Sequence, residues 1–205
     1  MALGIVSASV SAAIALTLVT SAATPALAEP GTYALDRTTS AVDFTLSVSK
    51  FFKFKREGQF TDFTGQLLYD PVDPRSTQVD LTVYTSSVDV NNVEHNQLLK
   101  SVDFFDVERF PTMHFTSATT EVRSDGTLSM TGDLTIRGVT QRMTIPMKVK
   151  VNPESAGPST AVLESTFEID RTEFGLIGSA KAHGINVTIA KKVKIHLAMA
   201  TSLKH

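Results

Sequence analysis

The chain has 205 residues and a formal net charge of −2, from 19 Lys and Arg against 21 Asp and Glu. It contains no Cys, which excludes disulfides, thiol nucleophiles and Cys-ligated metals. Near neutrality gives no overall electrostatic reason to expect nucleic-acid binding.

Met1 to Ala28 carries no charged side chain, has an apolar run around Ala12 to Val19, and ends Pro25-Ala26-Leu27-Ala28. Small residues at Ala26 and Ala28 fit the site cut by signal peptidase, so residues 1–28 are predicted to be a signal peptide. No Lys or Arg precedes the run, and the run is too short and too rich in Ala, Ser and Thr to predict a membrane span. The remainder, 29–205, is of a size that suits one domain with one core.

Tyr33 to Asp36 starts the first strand pattern. Ala41 to Ser49 then sets Val42, Phe44, Leu46 and Val48 against Asp43, Thr45, Ser47 and Ser49. Side chains alternate sides along a strand, so this period of two predicts a sheet with one dry face. Phe51-Phe52-Lys53-Phe54-Lys55-Arg56 breaks the pattern and reads as a hairpin tip. Phe60 has one parity and Phe63, Leu67 and Tyr69 the other, which predicts a bulge or bend near Thr61-Asp62. Asp70-Pro71-Val72-Asp73-Pro74 is a turn, and Val79, Leu81 and Val83 mark the next strand.

The one helical signal runs from Asn91 to about Phe105. Asn91 and Glu94 have capping-box spacing, and Leu98, Val102 and Phe105 form an apolar stripe. Strands follow Pro111: Met113 and Phe115, then Leu128, Met130, Leu134 and Ile136, then a turn at Arg137-Gly138. The clearest alternation is Val139 to Val151, with Gln141, Met143, Ile145, Met147 and Val149 in the dry parity. Asn152 to Ser159 is a loop. Ala161, Leu163, Phe167 and Ile169, then Ile185, Val187, Ile189, Val193, Ile195, Leu197 and Met199, form the last two dry faces. The expected fold is all-β, an antiparallel barrel of about eight strands with one short helix. A two-sheet sandwich is the competitor.

No catalytic constellation emerges. His95, His114, His183, His196 and His205 lack metal-ligand spacing, and Ser179 lacks the glycine that a nucleophile elbow needs. No enzyme activity, metal or cofactor is therefore expected.

Several segments resemble the YceI-like family. Tyr33-Ala34-Leu35-Asp36 with Ser40-Ala41-Val42-Asp43-Phe44 is similar to its opening, and Phe60-Thr61-Asp62-Phe63-Thr64-Gly65 to its next strand pair. Leu99 to Val107 with Phe110-Pro111 and Phe115-Thr116-Ser117 resembles the helix and following strand. Gly132-Asp133-Leu134-Thr135-Ile136-Arg137-Gly138-Val139-Thr140 and Asp170-Arg171-Thr172-Glu173-Phe174-Gly175 complete the series, in family order. Thr39 and Ser49 stand where many members carry histidine. The resemblance implies an exported, periplasmic or secreted bacterial protein with a lipocalin-like barrel. It also implies that a long polyisoprenoid chain occupies an apolar tunnel. The expected ligand is of polyprenyl phosphate or isoprenoid quinone type, and the expected oligomeric state is monomer or homodimer.

On that footing, Phe44, Met113, Phe115, Met130, Met143, Met147, Phe167 and Val193 are candidate tunnel residues, with ordinary core packing as the alternative. Met199 shares the apolar parity. Arg137 and Arg171 sit beside turns; either could hold an anionic head, or brace loops, Arg137 through Asp133 and Arg171 through a backbone carbonyl. Phe51, Phe52, Lys53, Phe54, Lys55 and Arg56 could touch an anionic membrane or guard the portal, or be a solvated hairpin. An enzyme acting on such a lipid and a solid-core protein without ligand are the rival functions.

Overall fold

The computed structural model describes residues 30–49, 52–152, 160–178 and 188–203. The expected signal peptide, Phe51, Ser179, His183, Ile185, Val187, His205 and most of the 152–159 loop lie outside them.

Among the described residues one antiparallel sheet holds every strand: β1 (Gly31–Ser49), β2 (Lys53–Phe60), β3 (Phe63–Tyr69), β4 (Gln78–Tyr84), β5 (Val88–Asp89), β6 (Thr112–Val122), β7 (Leu128–Ile136), β8 (Val139–Asn152), β9 (Thr160–Asp170) and β10 (Thr188–Leu203). The chain ends meet. β1 pairs with β10 from Tyr33↔Leu203 to Ser49↔Thr188, which closes the sheet and rules out the sandwich. β2 and β3 both pair with β1, at Val42–Ser49 and Gly31–Ala34 respectively. They are two halves of one stave, so the barrel has eight staves.

The break between them falls at Thr61-Asp62, as the parity change predicts. Phe60 and Phe63 are both buried, and an unbroken strand would turn them to opposite faces. The break is pinned by Tyr84 N–H on the Asp62 carbonyl (3.0 Å), by Thr61 N–H on the Ser87 carbonyl (3.2 Å) and by an Arg37–Asp62 ion pair. β1 is one strand where the sequence reads as two segments. It carries an irregularity between Asp36 and Ala41, where the Asp36 carboxylate accepts from the Thr38 amide (2.9 Å) and hydroxyl (2.7 Å). Arg137 and Gly138 both take positive φ, 50° and 73°, as the tight β7–β8 hairpin requires.

The helix is shorter than its apolar stripe predicts. α1 spans Val93–Lys100, and its cap is Asn92, whose side chain accepts from His95 N–H at 2.9 Å. Asn91 has φ 55° and lies outside the helix. Beyond Lys100 the chain turns repeatedly: Phe105 N–H reaches the Leu99 carbonyl and Asp106 N–H the Ser101 carbonyl. The expected stripe therefore does not form. Val102 is exposed, while Leu99, Phe104 and Phe105 pack inward.

The upper end of the barrel carries the last residues of β1, the first of β2, the α1 connection, the β7–β8 turn, the last residues of β9 and the first of β10. The lower end carries the β3–β4 and β6–β7 connections, the last residues of β8 and the first of β9. Near the lower end the interior is solid, with Tyr33, Leu67, Met130 and Leu163 no more than 1% exposed.

Candidate ligand-binding site

Beside these residues the barrel interior holds a cavity of about 140 Å³ with an almost wholly apolar wall. Its depth is set by Val79, Met147, Leu197 and Met199, and its waist by Phe44, Leu81, Phe115, Leu134, Phe167 and Val193. Leu46, Leu99, Phe105, Leu176 and Ile189 surround the upper part. Leu46, Leu99, Phe105 and Ile189 are only partly buried, so the cavity opens at the upper end. Asp43 and His114 touch the wall, but each sits between two inward neighbours on its strand. The His114 imidazole instead bonds Asp80 at 3.1 Å.

Parity explains which candidate residues meet here. Phe44, Met113, Phe115, Met147, Phe167 and Val193 all line the cavity, as does Met199. Met130 and Met143 do not. Met130 shares the inward parity but belongs to the solid core at 0% exposure. Met143, opposite Gly132, is half-buried and packs on the margin of the core. Gly132 leaves its own space to a neighbour: a Cβ there would meet the Phe115 ring at 2.8 Å and the Thr116 carbonyl.

The two turn arginines are clamps. Arg137 donates to the carbonyls of Gly175 (2.6 Å) and Val102 (2.7 Å), tying the segment after β9 to the segment after α1. Its expected partner Asp133 instead pairs with Arg142 (3.2 Å). Arg171 donates through Nε to Ala190 (3.0 Å) and through its terminal nitrogens to Ile189 (3.3 Å) and Leu176. Burial pushes the Arg171 guanidinium pKa down, with Asp170 opposing. Arg171 reaches the cavity wall, whereas Arg137 does not.

The 51–56 cluster is not all hairpin tip, because Lys53 to Arg56 belong to β2. Phe52 is 85% exposed and Phe54 37%, and the Arg56 guanidinium lies 4.9 Å from the Phe54 ring centroid.

One gap in the strand ladder escapes a sequence reading. β8 and β9 pair only from Lys148↔Glu164 to Asn152↔Thr160. Above this the ladder stops, next to Pro146, which has no N–H to give. The Ser165 hydroxyl bonds the Pro146 carbonyl instead. Ile145 on one side of this seam and Phe167 and Ile169 on the other line the cavity. Leu99 and Phe104 also line the cavity, and the adjacent aromatics Phe104-Phe105 are the signal of this in the sequence. Among the described residues, no group of three metal-ligating side chains gathers.

The family model of the YceI-like domain matches residues 33–201. A UPF0312 protein of Shewanella baltica is 32% identical over 163 residues, 78% of this chain and 85% of its own. Protein YceI of Escherichia coli O157:H7 is 41% identical over 93 residues, 45% of this chain and 48% of its own. Among solved structures, Burkholderia cenocepacia BcnA superposes with a TM-score of 0.68 at 24% identity, covering 81% of this chain and 98% of that one. A polyisoprenoid binding domain from Saccharophagus degradans, implicated in plant cell wall breakdown, gives 0.66 at 14% identity, covering 84% and 98%. These two share the fold. The domain match over nearly all of the barrel, with the Shewanella relative, places the chain in the YceI-like family.

Proposed function

We propose that this protein is an exported carrier or store for a long isoprenoid lipid, held by its apolar chain inside the barrel. The observation that carries this is the dry cavity itself. Inward side chains from all eight staves, together with the α1 segment, build an apolar wall that opens at the upper end. The Saccharophagus relative in fold is named for polyisoprenoid binding.

At about 140 Å³ the cavity is near the size that takes one benzene ring in an engineered apolar site. A long chain therefore enters by displacing what is soft. Met113, Met147 and Met199 are unbranched and re-pack readily. The turns from Ser101 to Asp106 that hold Phe104 and Phe105 over the interior follow a helix with no buried residue of its own. Each 100 Å² of prenyl surface removed from water contributes about 2.5 kcal/mol before ordering costs. That driving force needs no polar grip, and among the described residues the wall presents no acid–base pair to the chain. Binding without conversion is the reading that fits this wall.

The test is mass spectrometry of the organic extract from protein purified from its exporting host. One prenyl lipid, chemically intact and near stoichiometric, is the expected result. Lipid-free protein that also fails to take up added prenyl lipid would favour the solid-core alternative. The exported form should begin at Glu29.

A further inference from the structure

We propose that Arg56, backed by the Phe54 ring, is the anion-binding group at the cavity mouth, and that the ligand carries an anionic phosphate head. This rests on the carrier reading and specifies its ligand class.

The argument starts from the inner face of β2. Phe60 is buried in the core. Two residues up, Gly58 lies opposite Phe44, and a Cβ there would meet the Phe44 ring and Val90 (2.7 Å). That parity therefore faces inward. The next inward position is Arg56, directly opposite Leu46, which lines the cavity. Cross-strand partners on one face have Cβ atoms about 5 Å apart, so Arg56 rises from the rim beside a wall residue. Phe54 follows, opposite Val48.

Arg56 is exposed, and among the described residues it makes no hydrogen bond or ion pair; its recorded neighbour is the Phe54 ring. A guanidinium stacked on an aromatic face keeps its in-plane N–H fork free for a bidentate phosphate. The two arginines nearer the turns have no such freedom. Arg171 is committed to backbone carbonyls through all its nitrogens, and Arg137 through both terminal ones. The surroundings favour an anion. Lys53 and Lys55 stand on the outer face of the same strand, and Lys55 is opposite Ser47, where the β1–β10 pairing is irregular and Lys191 passes; Lys192 beside it is already paired with Glu168 (2.7 Å). Glu57 is the one acid within β2 and takes the outer parity. An amphiphile with its tail below Leu46 would bring its head to Arg56.

The experiment titrates two probes of equal chain length, a polyprenyl phosphate and the corresponding polyprenol, into delipidated protein. Wild type, Arg56→Gln and the outer-face double variant Lys53→Gln/Lys55→Gln are compared, with folding checked by thermal melting. Wild type is expected to prefer the phosphate by about tenfold, as for a charge-assisted bidentate contact. In Arg56→Gln the two probes should bind alike, while the lysine variant keeps most of the preference. Inorganic phosphate should not compete at millimolar concentration, which separates a lipid head from a free-anion site. Equal binding of both probes by wild type, or a preference that survives in Arg56→Gln, overturns the assignment and leaves the carrier reading standing. Failure of both probes to bind brings down the carrier reading, and the assignment with it.

Discussion

Stripping the lipid and blocking its space should have opposite, calculable effects on stability. An apolar void costs about 24 cal/mol per Å³ when its walls do not collapse. For 140 Å³ this is about 3 kcal/mol. In a domain of this size each kcal/mol moves the melting temperature by about 2–4 °C. Loading the delipidated protein should therefore raise Tm by roughly 6–12 °C. Met147 is the position at which to block. It is 1% exposed, lines the cavity and faces Leu128 across the β7–β8 ladder. A tryptophan there must either occupy the void or overpack at a cost of about 1–3 kcal/mol. Met147→Trp should melt within a few degrees of delipidated wild type yet gain less than about 2 °C on loading. Calorimetry of the four samples, apo and loaded, decides the matter. A loading shift as large in Met147→Trp as in wild type would show that Met147 does not face the occupied space. No shift in either would refute the cavity argument.

Three other outcomes follow from the same geometry. Arg171→Met should cost about 2–4 kcal/mol in urea melts, since it strips partners from part-buried carbonyls, and should leave any preference for an anionic lipid head unchanged. Acid should destabilise the fold: the carboxyls of Asp36, Asp89 and Asp170 are held below their ordinary pKa first by side-chain hydrogen bonds from Thr38, Asn96 and Thr172, and that of Asp125 first by the Thr127 amide. Because folding lowers these values, the stabilisation is complete above the unfolded pKa near 3.9 and is lost as the pH falls through the folded ones; a Tm unchanged down to pH 3 would contradict this. Hydrogen exchange should find the β8-facing amides of Ser165 to Asp170 less protected than those of Ala161 to Glu164, because only the latter stretch pairs with β8; equal protection would mean that the seam is closed in solution.

Much of the fold is legible because a strand declares its two faces locally. The alternation from Val139 to Val151 becomes β8, and the clash of parity between Phe60 and Phe63 becomes the break in the second stave. What is not local is illegible. The meeting of β1 with β10 depends on residues about 150 apart, and nothing in either strand names the other. The α1 stripe misleads because Leu98, Val102 and Phe105 have helical spacing, while the bonds to Ser101 and Leu99 carbonyls turn the chain out of the helix. The turn arginines are ambiguous for a related reason: a guanidinium that braces three segments is identical in sequence to one that awaits a phosphate.

Parity tells which side of the wall a residue is on, but not whether its side chain borders open space. Met130 and Met147 are equally inward and equally buried, and Met147 sits one inward position nearer the lower end, opposite Leu128, yet Met147 lines the cavity and Met130 is packed in the core. The same rule recovers Arg56. Lys53-Phe54-Lys55-Arg56 is an interleaved basic tip if it is a turn, with all its cations in one solvated cloud. Once β2 is a strand, the lysines go to the outer face and Phe54 and Arg56 to the inner one, above Gly58 and Phe60. An arginine there is exposed to water and stands beside Leu46, which lines the apolar cavity. That boundary is where a molecule with a charged head and a long hydrocarbon tail has its own change of polarity, so the position of Arg56 along β2, more than its charge, is what fits it to such a ligand.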